Sequence, residues 1–228
     1  MNIHAFADSE RLARSVAKIT RSAVIPIAVH RFPDGETLVR VSRPVARQAI
    51  VIRSLDHPDL KLIEVLLAAD ALRRAGARSV VLVCPYLSYM RQDKVFHAGE
   101  PVSQLVIGRL LSASFDRVIT LEPHLHRARS LAKVFQCPAE SLSAAPAIAQ
   151  WIRADRRDNY LVIGPDRESG RVVKEVAAAA GLESMVGIKQ RLGDRSVKVT
   201  FRRKVQAPGA VIVDDIASSG ATLAAVVG

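Results

Sequence analysis

Short apolar runs, each broken off by a polar or charged residue and separated by helix-length segments, constrain this chain more than any other feature. AIVIRSL begins at Ala49, SVVLVCPY at Ser79, RVITLE at Arg117, YLVIG at Tyr160 and AVIVDD at Ala210. Strands that are apolar throughout need cover on both faces, and parallel sheets flanked by helices provide it. IHAFA, IPIAVHRF and TLVRVS read as further strands near the N-terminus. Helices are predicted over Leu60 to Ala75, stopped by Gly76, and over Pro101 to Ser114, with apolar residues at helical spacing such as Leu62, Leu66, Leu105 and Ile107.

A second series starts near Ser143: a helix to Ala154, the strand YLVIG, a helix from Ser169 to Ala180, the strands SMVGIK, SVKVTF and AVIVDD, and the start of a helix. Between the two series QCPAESLS, from Gln136 to Ser143, breaks the pattern and reads as a linker. The expectation is an α/β chain of two tandem domains, 1–142 and 143–228, each a mostly parallel sheet flanked by helices.

Bulk properties narrow the function classes. Half the residues are hydrophobic (49%) and 24% are charged, as in ordinary soluble globular proteins. No apolar run approaches the ~18 residues of a membrane span. MNIHAFADSE lacks the regions of a signal peptide, so the cytoplasm is the expected location and no membrane partner is expected. A net charge of +11 raises the question of nucleic acid, but the basic residues are scattered and aromatics make up only 4%. Small phosphorylated ligands account for the same sign of charge, and no nucleic-acid partner is expected. Cys84 and Cys137 are too few and too isolated for a disulfide framework or metal cluster, and read as buried free thiols.

Ligands of parallel α/β sheets bind beyond the carboxyl ends of the strands. Here those ends carry Pro85-Tyr86, Glu122-Pro123-His124, Pro165-Asp166 and Asp214-Asp215. Each alone has a bland explanation, since an Asp after a strand commonly caps the next helix. The stretch VIVDDIASSGATL is more demanding. Two adjacent carboxylates at the end of an apolar strand precede Ser218, Ser219, Gly220, Ala221 and Thr222, small residues that permit a tight turn whose N–H groups and hydroxyls suit a phosphate. The P-loop pattern GxxxxGK[ST] is absent there. Carboxylate acceptors beside phosphate donors suit a sugar phosphate.

VDDIASSGAT resembles the phosphoribosyl-diphosphate (PRPP) motif of type I phosphoribosyltransferase folds. With it come, in order, Phe32-Pro33-Asp34-Gly35-Glu36, Tyr89-Met90-Arg91-Gln92-Asp93, Gly99-Glu100-Pro101-Val102-Ser103, Glu122-Pro123-His124, Gly164-Pro165-Asp166 and Lys189-Gln190-Arg191. This ordered set resembles the ribose-phosphate diphosphokinase (PRPP synthetase) family from about Ala5 to the last residue. The short Gly-Glu-Pro form is more similar to the archaeal and archaeal-like bacterial branch.

The resemblance implies two type I phosphoribosyltransferase-like domains, the first carrying the ATP motifs and the second the ribose 5-phosphate loop. It implies transfer of the β,γ-diphosphoryl group of Mg²⁺-ATP to the anomeric hydroxyl of ribose 5-phosphate, giving PRPP and AMP. Arg91 and Gln92 match ATP-binding residues. Phe32, Asp34 and Glu36 match an adenine-contacting hairpin that family members commonly lend from a neighbouring subunit, which implies a homo-oligomer; Asp-Gly between apolar strands is itself a hairpin signal. His124 and Asp166 match ligands of Mg²⁺, the expected cofactor. Lys189 and Arg191 match the catalytic pair that stabilises the transferring group. Asp214 and Asp215 would hold the ribose hydroxyls, and Ser218, Ser219, Gly220, Ala221 and Thr222 the 5-phosphate.

The chain departs from the family pattern in four places. Glu122-Pro123 precedes His124 where the family has Asp-x. Arg167-Glu168-Ser169 stands where many members have a small residue and two glycines. Ala221 replaces the second loop glycine and fits only with a negative φ, as in the first turn of a helix. The family also continues with strand and helix past the position of Gly228, so the second domain reads as truncated. A catalytically weak or silent regulatory homologue is the alternative these departures suggest. An ordinary phosphoribosyltransferase is disfavoured because FPDGE and RQD have no role in one.

Overall fold

A computed structural model of the chain describes residues 1–125, 130–155, 157–191, 197–202, 204, 206–217 and 220–227. Two compact units emerge, Met1–Leu142 and Ser143–Gly228. In the first, β1 (Asn2–Ala5), α1 (Glu10–Thr20), β2 (Ala23–Arg31), β3 (Thr37–Val41), β4 (Gln48–Ile52), α2 (Pro58–Arg74), β5 (Ser79–Cys84), α3 (Ser103–Ser114), β6 (Arg117–Leu121) and β7 (Ala139–Leu142) follow in order. They form one seven-stranded sheet in the order β3-β2-β1-β4-β5-β6-β7. Every pairing in it is parallel except the hairpin β2–β3.

The predicted helices α2 and α3 form where their apolar spacing places them. Pro58 opens α2 with its φ already set for a helix. Gly76, at φ 110°, ends it, with N–H groups of Gly76 and Ala77 donating back to the carbonyls of Arg73 and Leu72 at 3.0 Å. Leu62, Val65, Ala68 and Leu72 of α2 meet Val51, Val80 and Leu82 of the sheet in the larger core. Burying each of the larger of these side chains contributes about 1.5–3 kcal/mol.

Two segments differ from the sequence expectation. Residues 10–20, to which no element was assigned, form α1. It is strongly amphipathic, but its buried residues are only Ala13 and Ala17, with Val16 packed beside them, so no large apolar side chain marks its core face. The expected linker contains β7, whose ladder to β6 pairs Val118 with Ala139 and Leu121 with Leu142. AESL is an exposed edge strand, and edge strands need no apolar run.

The second unit runs α4 (Ala145–Ala154), β8 (Leu161–Gly164), α5 (Gly170–Ala180), β9 (Ser184–Val186), β10 (Ile188–Arg191), β11 (Val197–Thr200), β12 (Ala210–Ile212) and α6 (Ala221–Val227). Strands β12-β8-β9 make a parallel sheet, packed against α5 through Val162, Val172, Val173 and Val176. SMVGIK is two strands rather than one. The chain breaks at Gly187, where a Cβ would lie 2.8 Å from the carbonyl oxygen of Pro165. Beyond it β10 leaves the parallel sheet and pairs antiparallel with β11. Among the described residues no helix is long and apolar enough to cross a membrane.

The thiols also divide. Cys84 is buried, and burial pushes its pKa up to about 12. Cys137 is a partly buried free thiol at the margin of the core rather than inside it.

Candidate active site

In the second unit the chemistry gathers past the carboxyl ends of β8 and β12. The wholly buried strand LVIG delivers Asp166 into a tight turn. One carboxylate oxygen, Oδ1, accepts the N–H groups of Glu168 (3.0 Å) and Ser169 (3.3 Å), and the Ser169 hydroxyl donates to the Asp166 carbonyl at 2.8 Å. Ser169 is buried, and a Cβ on Gly164 would collide with its oxygen at 2.3 Å. The Arg-Glu-Ser departure from the family pattern therefore carries a serine that closes the turn.

The other oxygen of Asp166, Oδ2, faces Lys189 at 3.2 Å. Lys189 reaches it because β10 starts directly after the Gly187 break, whose N–H donates to the Gly164 carbonyl at 2.8 Å. Arg191 closes β10, but its side chain lies outside the described residues.

Asp214 and Asp215 follow β12, tied to β8 by the Val213 N–H donating to the Ile163 carbonyl at 2.8 Å. The Asp215 N–H donates to Oδ1 of Asp214 at 3.0 Å. Burial pushes the Asp214 carboxyl up to about 6, and the charges of Asp215 and Asp166 push in the same direction. Asp214 thus feels the charges of two other carboxylates, one of which, Asp166, is paired with Lys189. Such a group accepts hydrogen bonds from hydroxyls and attracts a divalent cation.

Ser218 and Ser219 lie outside the described residues. Gly220 takes φ 78° and Ala221 opens α6 without a positive φ, so the added methyl sits where a helix tolerates it. Thr222 follows in the first turn of α6.

In the first unit the candidate residues also lie past strand carboxyl ends. Phe32, Asp34 and Glu36 occupy the exposed β2–β3 hairpin, closed by the Phe32 N–H on the Glu36 carbonyl (2.9 Å) and the Gly35 N–H on the Phe32 carbonyl (3.0 Å). The Asp-Gly turn signal is realised, with Gly35 at φ 94°. Arg91 and Gln92 sit in the long loop after β5, Arg91 exposed and Gln92 half-buried.

Glu100 organises that loop. It accepts the N–H groups of Phe96 and His97, both at 3.0 Å, and pairs with the His97 ring at 2.9 Å. The bond to His97, with these N–H groups, holds its carboxyl below the usual range. Gln92 donates to the same carboxylate at 3.5 Å and accepts from the Ser103 hydroxyl. His124 follows β6, half-buried, after Glu122 in a left-handed conformation, φ 39°, and Pro123.

Sequence reasoning passed over a buried ionic chain in the first unit. Glu64 of α2 is fully buried and pairs with Arg53 and, at 3.2 Å, with Arg31. Arg53 in turn contacts Asp8 at 3.2 Å and lies 3.9 Å over the Phe6 ring. Lys61 bridges Asp8 (3.0 Å) and Asp56 (2.8 Å). The available signal was a carboxylate set between the core positions Leu62 and Val65.

Residues 1–144 match the family described as the N-terminal domain of ribose phosphate pyrophosphokinase. The ribose-phosphate pyrophosphokinase of Methanopyrus kandleri is 34% identical over 227 residues, 98% of this chain and 77% of that protein. That of Pyrococcus abyssi is 36% identical over 178 residues, 77% of this chain and 61% of that protein. The crystal structure of phosphoribosylpyrophosphate synthetase from Mycobacterium smegmatis matches all of this chain and 76% of that one, with a TM-score of 0.80 and 28% identity. The chain thus spans between 61% and 77% of the length of these relatives. Sequence and fold place this chain in the ribose-phosphate pyrophosphokinase family.

Proposed function

We propose that the chain carries out the reaction its family is named for, moving the diphosphoryl group of ATP to the anomeric hydroxyl of ribose 5-phosphate. That hydroxyl oxygen bonds to the β-phosphorus, the bond from the α-phosphate oxygen to that phosphorus breaks, AMP departs, and the hydroxyl proton goes to solvent. The observation that carries the reading is Lys189 paired with Asp166 beside Asp214, past the carboxyl ends of β8 and β12. Lys189 and Arg191 stabilise charge on the transferring group, Asp214 and Asp215 hold ribose hydroxyls, and the segment Ser218 to Thr222 holds the 5-phosphate. Arg91 and Gln92 bind the nucleotide, with Phe32, Asp34 and Glu36 at its base.

Mg²⁺ fits the donor set. This ion commonly binds through one or two carboxylates with phosphate oxygens and water. Among the described residues no three or more His, Cys, Asp or Glu side chains make an all-protein cage, and the raised pKa of Asp214 beside two other carboxylates favours a cation. Asp166 is the residue of the second unit that would hold it, and His124 is a candidate ligand in the first unit. Bound with the nucleotide, Mg²⁺ would neutralise charge on the phosphate oxygens.

A homo-oligomer that shares the adenine hairpin suits the exposed apolar stripe Leu60, Ile63 and Leu67 on α2. The cytoplasm suits substrates of this kind. The silent-homologue reading loses ground because Ala221 occupies a helical position and Lys189 and Asp166 are already paired.

The test is incubation with ATP, Mg²⁺ and ribose 5-phosphate. AMP and PRPP in equal amounts, dependent on ribose 5-phosphate, are expected. Absence of AMP overturns the reading.

A further inference from the structure

Arg31 is the last residue of β2 and immediately precedes Phe32. More than half of its side chain is exposed (56%), yet its guanidinium turns inward to a carboxylate with no exposure at all. A buried carboxylate is costly unless its charge is matched. Arg53, itself 7% exposed, already supplies that match on the other oxygen of Glu64. The fold therefore has its counter-charge without Arg31, and the Arg31–Glu64 pair does something else.

Its position says what. The β2–β3 hairpin is closed by its own hydrogen bonds, but β3 is the edge strand of the sheet, so the turn at 32–36 has a neighbour on one side only. Arg31 fastens the base of that turn to Glu64 on α2. Glu64 is fastened through Arg53 to Asp8, which follows β1, while the Arg53 N–H donates to the Val83 carbonyl of β5 at 3.0 Å. The carboxyl ends of β1, β2 and β4 are joined through one buried carboxylate.

We propose that Glu64 is a positioning residue for nucleotide binding, acting through Arg31 to fix the direction of the hairpin that carries Phe32, Asp34 and Glu36. The proposal rests on the reading of that hairpin as the adenine contact. The pair acts on binding of ATP and not on the transfer step or on ribose 5-phosphate.

Steady-state kinetics of the full chain with ATP and ribose 5-phosphate test it, using Arg31→Met, Glu64→Gln, the double variant and Phe32→Ala. Arg31→Met is expected to raise KM for ATP about tenfold, with kcat and KM for ribose 5-phosphate within about twofold and the thermal midpoint within about 2 °C of the parent. Arg31→Lys restores part of the loss. Glu64→Gln raises KM for ATP similarly, and the double variant raises it no further, because one contact is lost only once. Unchanged KM for ATP in Arg31→Met, with Phe32→Ala impaired, overturns the tether while leaving the hairpin reading intact. Multiplied effects in the double variant also overturn it, since Arg31 would then act on ATP directly. Unchanged KM for ATP in Phe32→Ala removes the hairpin reading and the proposal with it. Should Glu64→Gln fail to fold, Arg31→Met and Arg31→Lys decide the matter.

Discussion

The ammonium of Lys189 lies 3.2 Å from Oδ2 of Asp166, with only 20% and 16% of the two side chains exposed. Under the proposed function, Lys189→Ala removes a contact to the transferring group and leaves the ribose side of the site untouched. Turnover is expected to fall by about a hundredfold, with ribose 5-phosphate affinity by calorimetry unchanged. The same variant leaves the Asp166 carboxylate without its positive partner. Mn²⁺ affinity, read by electron paramagnetic resonance without substrates, is expected to rise on the order of threefold.

Asp214 titrates near 6, well above an ordinary aspartate, because burial and two neighbouring carboxylates oppose its charge. A raised folded-state pKa means stability that is full below the unfolded value and lost as pH climbs through about 6. Asp214→Asn is therefore expected to raise the thermal midpoint by roughly 3 °C at pH 7.5 and to leave it unchanged near pH 3.5. Ribose 5-phosphate binding moves the other way. Asp215→Asn is expected to weaken it about tenfold in calorimetry, and the parent protein should lose affinity as pH falls through 6.

His4 lies on β1 between Ile25 and Val51, fully buried, with neither ring nitrogen hydrogen-bonded. Burial lowers its pKa to about 4. The unfolded chain then takes up a proton that the folded chain refuses, so stability is complete above about pH 6.5 and declines as pH falls toward 4. His4→Leu should flatten that decline, and the parent should lose roughly 5 °C more than the variant between pH 7 and pH 4.5 in differential scanning calorimetry.

Gly187 stands where β9 and β10 part, against the Pro165 carbonyl. Gly187→Ala forces this junction open, with a cost of about 1–3 kcal/mol in urea unfolding. Because β10 carries Lys189, turnover is expected to fall further than stability alone explains, while KM for ribose 5-phosphate stays within about twofold.

The strands were legible because burial on both faces leaves so few choices of residue. Val80 to Cys84 and Leu161 to Gly164 announce themselves in this way. α1 is amphipathic and so was legible in principle, though its buried face is two alanines rather than large apolar residues; β7 was not legible, since an edge strand is free to be polar. The site divides similarly. Asp166, Asp214 and Gly220 are marked locally by strand ends and turn chemistry. Lys189 has no local mark, and its meaning comes from a break at Gly187 that delivers it to an aspartate 23 residues earlier. Glu64, Arg53 and Arg31 are ordinary charges in sequence, and only the fold reveals that they form one chain.

Gly220 and Ala221 meet different demands although the family pattern writes glycine at both. One is left-handed at φ 78°, and the other is the first residue of α6. A side chain at the second position is invisible to the backbone, whereas one at the first strains it and redirects the chain. A search pattern that insists on glycine twice will pass over proteins that make the same turn.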